Sequence, residues 1–237
     1  MKYIKIAVGM ATADFGNPSA QMKLAMEAGC DILHADAADF NELPDLQLMG
    51  GPQVIKGLRP ITEKPIECHI YTSVCNKILI NCLDEAGCNA LILPAEHFIG
   101  APLAYIIHWC RTIGIKVGLT IGCYTPLSFV EESINDIDRL HIVTHGVDDT
   151  DGAENWYWRS SVVDLIRRSR EMINLKNSKC ELAIDGGIRA DNVEPLIEYS
   201  PDVVILSSAL LKHDKGIKYA VKEFRDVLDK ASIKFGL

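Results

Sequence analysis

The sequence predicts an α/β fold, one closed (β/α)8 barrel of the TIM type, on three observations. Eight short, β-rich apolar runs alternate with helical stretches from one end to the other. Several helical stretches stop at a glycine just before the next run, the usual helix-ending signal. No linker, low-complexity tract or long charge run divides the 237 residues, so residues 1–237 are expected to form a single domain. An open doubly wound sheet is the rival arrangement for the same alternation.

The expected strands are 5–10, 30–36, 65–71, 89–95, 116–122, 139–146, 179–187 and 202–209. Between them, segments 19–29, 77–87, 103–114 and 162–173 repeat apolar residues every three or four positions, the period of a half-buried helix. The first three end at Gly29, Gly87 and Gly114. Glu27-Ala28-Gly29-Cys30-Asp31 and Glu85-Ala86-Gly87-Cys88-Asn89 both close a helix and open a strand. This is either a trace of a barrel built from βαβα quarters or common helix-ending chemistry.

Hydrophobic residues make up 48% of the chain and charged residues 24%, enough for a sizeable core and incompatible with disorder. Thirty-two acidic against 24 basic side chains leave a formal charge of −8, which argues against a nucleic-acid partner and against attachment to acidic membranes. No apolar run reaches the length of a membrane span. The first ten residues carry two lysines, Asp14 follows soon, and no small-residue cleavage site appears, so they read as mature sequence. Eight cysteines form no C-x-x-C pair and several sit inside apolar runs. Reduced thiols acting as small hydrophobes, in a cytoplasmic protein, are the expectation.

Chemistry in such barrels sits at the C-terminal ends of the strands. The second strand ends in Leu33-His34-Ala35-Asp36, and residues two apart leave a strand on the same face. The third ends in Cys68-His69-Ile70 and the seventh in Ile184-Asp185-Gly186-Gly187. Two histidines and two aspartates suit a borderline divalent cation: Zn²⁺, Fe²⁺, Mn²⁺ or Co²⁺. The second and seventh strands lie three steps apart round the ring, so Asp36 and Asp185 are expected to face each other across the mouth. Carboxylates on opposite faces of a planar enediolate can remove a proton from one side and return one from the other, inverting the carbon beside a ketone. A metal chelating the ketone and hydroxyl oxygens would stabilise the developing charge. Each residue also has a plainer reading: a strand-end histidine is often a hydrogen-bonded core group, and aspartate before Gly-Gly is often a turn former.

At these residues the sequence resembles the ribulose-phosphate 3-epimerase family. Thr12-Ala13-Asp14-Phe15 resembles the loop after its first strand, and residues 28–36 resemble its His-x-Asp strand. Residues 65–69 look like its Asp-Val-His strand, Thr125-Pro126-Leu127 resembles its fifth unit, and residues 184–188 are similar to its Val-Asp-Gly-Gly-Val. Ser207-Ser208-Ala209-Leu210 stands where the family has Gly-Ser-Ala-Ile. The resemblance implies a TIM barrel of the ribulose-phosphate-binding type and a divalent metal held by His34, Asp36, His69 and Asp185. It implies Asp36 and Asp185 as the acid/base pair, a sugar phosphate as substrate, and a homo-oligomer, dimer or hexamer.

The departures fall on the pocket. Gly9 replaces a serine on the first strand, Tyr71 replaces the methionine after the second histidine, and Pro94 replaces a histidine on the fourth strand. Residues 38–45 depart from the family's Met-Asp-Gly-His-Phe-Val-Pro-Asn. After the sixth strand a glycine-rich phosphate loop gives way to a segment holding Asp148, Asp149, Asp151 and Glu154. Either these acids lie on a solvated loop tip while Gly186, Gly187, Ser207 and Ser208 hold a phosphate, or the substrate is not the usual phosphorylated pentulose. Trp156-Tyr157-Trp158 fits core packing, sugar stacking or a subunit contact. The expected activity is C3 epimerisation of a ketose phosphate, with D-ribulose 5-phosphate to D-xylulose 5-phosphate leading. A different ketose, a sugar-phosphate lyase or decarboxylase, and a non-catalytic sugar-binding barrel are the alternatives. The lyases usually need a lysine at the mouth, and none falls at the ends of the second, third or seventh strand.

Overall fold

The computed structural model describes residues 1–38, 50–144, 160–177 and 179–237. In chain order its elements are β1 (Lys5–Gly9), α1 (Pro18–Ala28), β2 (Ile32–Ala38), α2 (Pro52–Leu58) with a 3-10 turn at Arg59–Ile61, and β3 (Ile66–Tyr71). There follow α3 (Lys77–Glu85), β4 (Ala90–Pro94), α4 (Gly100–Ile113), β5 (Lys116–Gly122), α5 (Ser128–Glu131) and β6 (Arg139–Val143). The last elements are α6 (Ser160–Lys176), β7 (Glu181–Asp185), α7 (Glu194–Ile197), β8 (Val203–Leu206), α8 (Ser208–Leu211) and α9 (Ile217–Lys234). Every strand pairs in parallel with the next, and β1 pairs with both β2 and β8, so the sheet closes into an eight-stranded barrel. The open-sheet alternative is thereby excluded.

β1, β4, β6, β7 and β8 stop short of the expected C-terminal ends, β3 and β5 end where expected, and β2 runs on to Ala38. β7 stops at Asp185 because Gly186 and Gly187 turn to φ 103° and 54°, a region other residues rarely enter. β8 stops at Leu206, where Ser207 turns the chain into α8. β6 ends at Val143, and the remainder of its run beyond residue 144 lies outside the described residues. The helix ends read from the sequence hold: Gly29, Gly87 and Gly114 all take positive φ.

Strand parity sorts the core into two parts. Outward residues such as Ile6, Val8, Leu33, Ile66, Leu91 and Leu119 pack under the helices in one continuous cluster. Helix α9 seals the seam between β8 and β1, packing on α1 and α7 with Val221, Phe224 and Leu228 buried. Burial of each such side chain stabilises the fold by roughly 1.5–3 kcal/mol. Inward residues Ala7, Ile32, Ala183, Val203 and Ile205 form a separate small cluster inside the barrel. With both faces buried, the strands read as nearly unbroken apolar runs.

A four-fold repeat lies at the N-terminal rim. Asp31 Oδ2 accepts a hydrogen bond from the Ile6 amide (2.9 Å), and Asn89 Oδ1 accepts one from Ile66 (2.9 Å). Asp138 Oδ2 accepts one from Val117 (2.9 Å), and Asp202 Oδ2 accepts one from Leu182 (2.8 Å). In each case the residue's own amide donates to the carbonyl of the residue it braces. Each acceptor stands just before an even-numbered strand and ties the odd-numbered strand that precedes it. The paired Gly-Cys-Asp and Gly-Cys-Asn motifs are thus two of four equivalent braces, as a barrel of βαβα quarters requires.

All eight cysteines are free thiols. Among the described residues no helix is long and apolar enough to cross a membrane.

Candidate active site

The barrel lumen turns polar towards the strand C-termini. His34 and Asp36 come from β2, Glu67, His69 and Tyr71 from β3, Arg139 and His141 from β6, and Asp185 from β7. His34, His69 and His141 are all buried, at 1%, 0% and 0% exposure. The four residues expected as ligands come together. His34 Nε2 lies 3.5 Å from Asp36 Oδ1 and 3.9 Å from Asp185 Oδ2. His69 Nδ1 lies 3.9 Å from the same Asp36 oxygen. One imidazole nitrogen thus stands between the two carboxylates, which open on the same cleft.

The donors form two overlapping sets, His34 with Asp36 and His69, and His69 with His141 and Asp185; within each, the donor atoms lie within 4.8 Å of one another. His141 stands outside the sequence reading. Its Nε2 is 3.2 Å from Asp185 Oδ2, and its ring centre is 4.7 Å from that of His69 and 5.5 Å from that of His34. The signal for it was present: Arg139-Leu140-His141 alternates as His34-Ala35-Asp36 does, and the same parity places Glu67 beside His69.

Beneath the donors runs an ion-pair chain that starts at the partly exposed Lys5 and ends in the buried Arg139, Glu67 and His34. Lys5 Nζ meets Glu181 (2.5 Å), Glu181 accepts from Arg139 Nη2 (2.6 Å), Arg139 Nη1 donates to Glu67 Oε2, and Glu67 Oε1 lies 2.7 Å from His34 Nδ1. Burial pushes the Glu67 carboxyl up, but the Arg139 guanidinium, His34 and His141 outweigh it and hold it down at about 2. An ionised Glu67 can only accept, so the His34 proton sits on Nδ1 and Nε2 is turned to the lumen. His34 Nε2 is buried with no hydrogen-bond partner among the described residues.

The electrostatics call for a cation at that point. Burial lowers the His34 imidazolium, yet the Asp36 and Glu67 carboxylates overcome it and raise the ring well above its usual value. Burial likewise raises Asp185, but the hydrogen bond from His141 and the charges of His34 and His69 bring it below the ordinary carboxylate range. An orphaned imidazole nitrogen among carboxylates is the donor set that borderline divalent ions take, so these residues fit a metal. Burial and the two aspartates push the Tyr71 phenol well up, keeping it a neutral hydrogen-bond donor.

Above these groups opens a cleft of about 190 Å³, lined by His34, Asp36 and Asp185 together with Gly186, Gly187, Ser207 and Ser208. The carbonyls of the Gly186-Gly187 turn are tied back into the protein. Thr144 Oγ1 donates to Gly186 O (2.7 Å) and Asn192 Nδ2 to Gly187 O (3.2 Å). Ser207 Oγ lies 2.8 Å from Thr12 Oγ1, pinning the β1–α1 loop to the rim. A Cβ on Gly9 would stand 3.3 Å from the Ser207 Cβ, so the bare residue on β1 accommodates the serine that follows β8. The acidic positions 148–151, Glu154, Trp156-Tyr157-Trp158 and residues 39–45 lie outside the described residues.

Comparison with known proteins finds relatives along nearly the whole chain. Residues 5–211 match the model of the ribulose-phosphate 3 epimerase family. The ribulose-phosphate 3-epimerase of Bacillus subtilis (strain 168) is 26% identical over 224 residues, 94% of this chain and 98% of the relative. That of Escherichia coli (strain K12) is 25% identical over 233 residues, 98% of this chain and 99% of the relative. Among solved structures, 3-hexulose-6-phosphate synthase from Salmonella typhimurium superposes with a TM-score of 0.75 at 18% identity, covering 96% of this chain and all of that one. The 3-keto-L-gulonate-6-phosphate decarboxylase from Vibrio cholerae gives 0.73 at 15% identity over 96% and 98%. At such identities the structural likeness speaks to the fold alone.

Proposed function

This chain belongs to the ribulose-phosphate 3-epimerase family, a family of carbohydrate isomerases, and we propose that it inverts C3 of a ketose phosphate, with D-ribulose 5-phosphate to D-xylulose 5-phosphate as the leading reaction. The observation that carries this is the placement of Asp36 and Asp185 on one cleft, with His34 Nε2 within 3.5 Å of one and 3.9 Å of the other. Asp185, kept ionised by the surrounding histidines, takes the C3 proton. The carbon flattens as its electrons move into the enediolate. Asp36 returns a proton to the other face, and the configuration is inverted. The reverse direction exchanges the two roles.

His34, Asp36, His69 and Asp185 would hold a divalent cation. Bound there, it supplies positive charge against the negative charge gathering on the substrate oxygens. The phosphate is assigned to Gly186, Gly187, Ser207 and Ser208. Thr144 and Asn192 engage the two carbonyl oxygens of that turn, which reduces their repulsion of a phosphate in the cleft. Among the described residues no lysine lines the cleft, which disfavours the lyase and decarboxylase readings.

The test is turnover in deuterated water with a panel of ketoses, each phosphorylated and unphosphorylated. Deuterium should enter at C3 of the true substrate, with the phosphorylated member preferred. Absence of exchange with every phosphorylated ketose would overturn the proposal.

A further inference from the structure

We propose that His141 Nε2 is a third imidazole donor to the cation, so that the centre is built from three histidines and two aspartates. This rests on the reading that the lumen holds a divalent ion, and extends it to a residue from a strand that contributes none of the four expected ligands. His141 is wholly buried and faces inward from β6. Its Nε2 lies 3.2 Å from Asp185 Oδ2. Two neighbouring donors on one small cation, each about 2.0–2.2 Å from it, stand roughly 3.0–3.5 Å apart. Its ring forms a triangle with those of His34 and His69, with centres 4.7 to 5.5 Å apart.

Packing alone does not account for an imidazole there. His141 Nδ1 is buried with no hydrogen-bond partner among the described residues, and so is Thr120 Oγ1 at the paired position on β5. A leucine would fill the space without burying an unsatisfied nitrogen. Coordination through Nε2 supplies the offsetting interaction, and His141, His69 and Asp185 already form a three-donor set. A third nitrogen donor moves the site's preference towards Zn²⁺, Co²⁺ or Ni²⁺ and away from oxygen-seeking Mn²⁺ or Mg²⁺.

The experiment loads metal-free protein with Co²⁺ and counts strongly shifted, exchangeable imidazole N–H signals in the proton NMR spectrum. Three are expected for the unmodified protein. His141→Leu should lose one, bind Co²⁺ on the order of 10-fold or more weakly, and show a smaller preference for Zn²⁺ over Mn²⁺. If His141 only hydrogen-bonds Asp185, the unmodified protein shows two signals, both survive in the variant, and the proposal is overturned while the metal reading stands. Failure of the unmodified protein to bind Co²⁺ overturns both. Should His141→Leu not fold, the count in the unmodified protein decides, with His141→Gln as the second variant.

Discussion

Glu67→Gln tests the chain of charges beneath the site. The substitution keeps the shape of the side chain and removes its negative charge, leaving Arg139, 8% exposed, with Glu181 alone. The fall of the Glu67 carboxyl from an ordinary 4.5 to about 2 corresponds to about 3 kcal/mol, at about 1.4 kcal/mol per pH unit. That lies at the lower end of the roughly 3–5 kcal/mol lost when one partner of a buried ion pair is removed. At about 2–4 °C per kcal/mol for a chain of this length, the melting temperature should drop by roughly 6–12 °C at pH 7. The sign of the pH dependence follows from the depressed value. Glu67 contributes its full stabilisation above about pH 4.5 and loses it as the pH falls towards 2. The gap between the two proteins should therefore narrow as the pH is lowered from 5 to 2. His34 also loses its anionic acceptor, so metal affinity should fall by about 10- to 100-fold. Thermal unfolding across pH and calorimetric metal titration read both effects. Equal melting temperatures at pH 7, or a gap that does not shrink in acid, would refute the reasoning.

Three further outcomes are expected. Asp185→Asn should reduce turnover on the order of 10²–10⁴-fold while the circular dichroism spectrum keeps the signature of the folded barrel; normal activity would remove Asp185 from its role. Asp138→Ala should cost roughly 1.5–3 kcal/mol by leaving the Val117 amide without its acceptor, whereas Asp138→Asn, imitating Asn89 at the equivalent brace, should be nearly neutral in a denaturant melt. Tyr71→Met should change relative kcat/KM across the ketose panel, because Tyr71 lines the cleft against the His69 ring at 4.2 Å; an unchanged ranking would show that the phenol does not select the sugar.

The sequence determined the barrel and which ionisable side chains stand at its strand ends, because both rest on local patterns. Apolar runs buried on two faces, glycines at helix ends and side chains two apart on a strand are all readable along the chain. His34, Asp36, His69 and Asp185 stood out because each ends such a run. Glu67, Arg139 and His141 obeyed the same alternation, yet they lay in the first half or the middle of their strands, where a polar residue in an apolar run gives no sign of its partner. What links Arg139 to Glu67, or His141 to Asp185, is the closure of the ring, which brings together residues 72 and 44 positions apart. The four braces at the N-terminal rim show the same limit: two share a Gly-Cys motif, while Asp138 and Asp202 carry no such signature. Local chemistry fixes which way each side chain points, and only the closed sheet decides which side chains it meets.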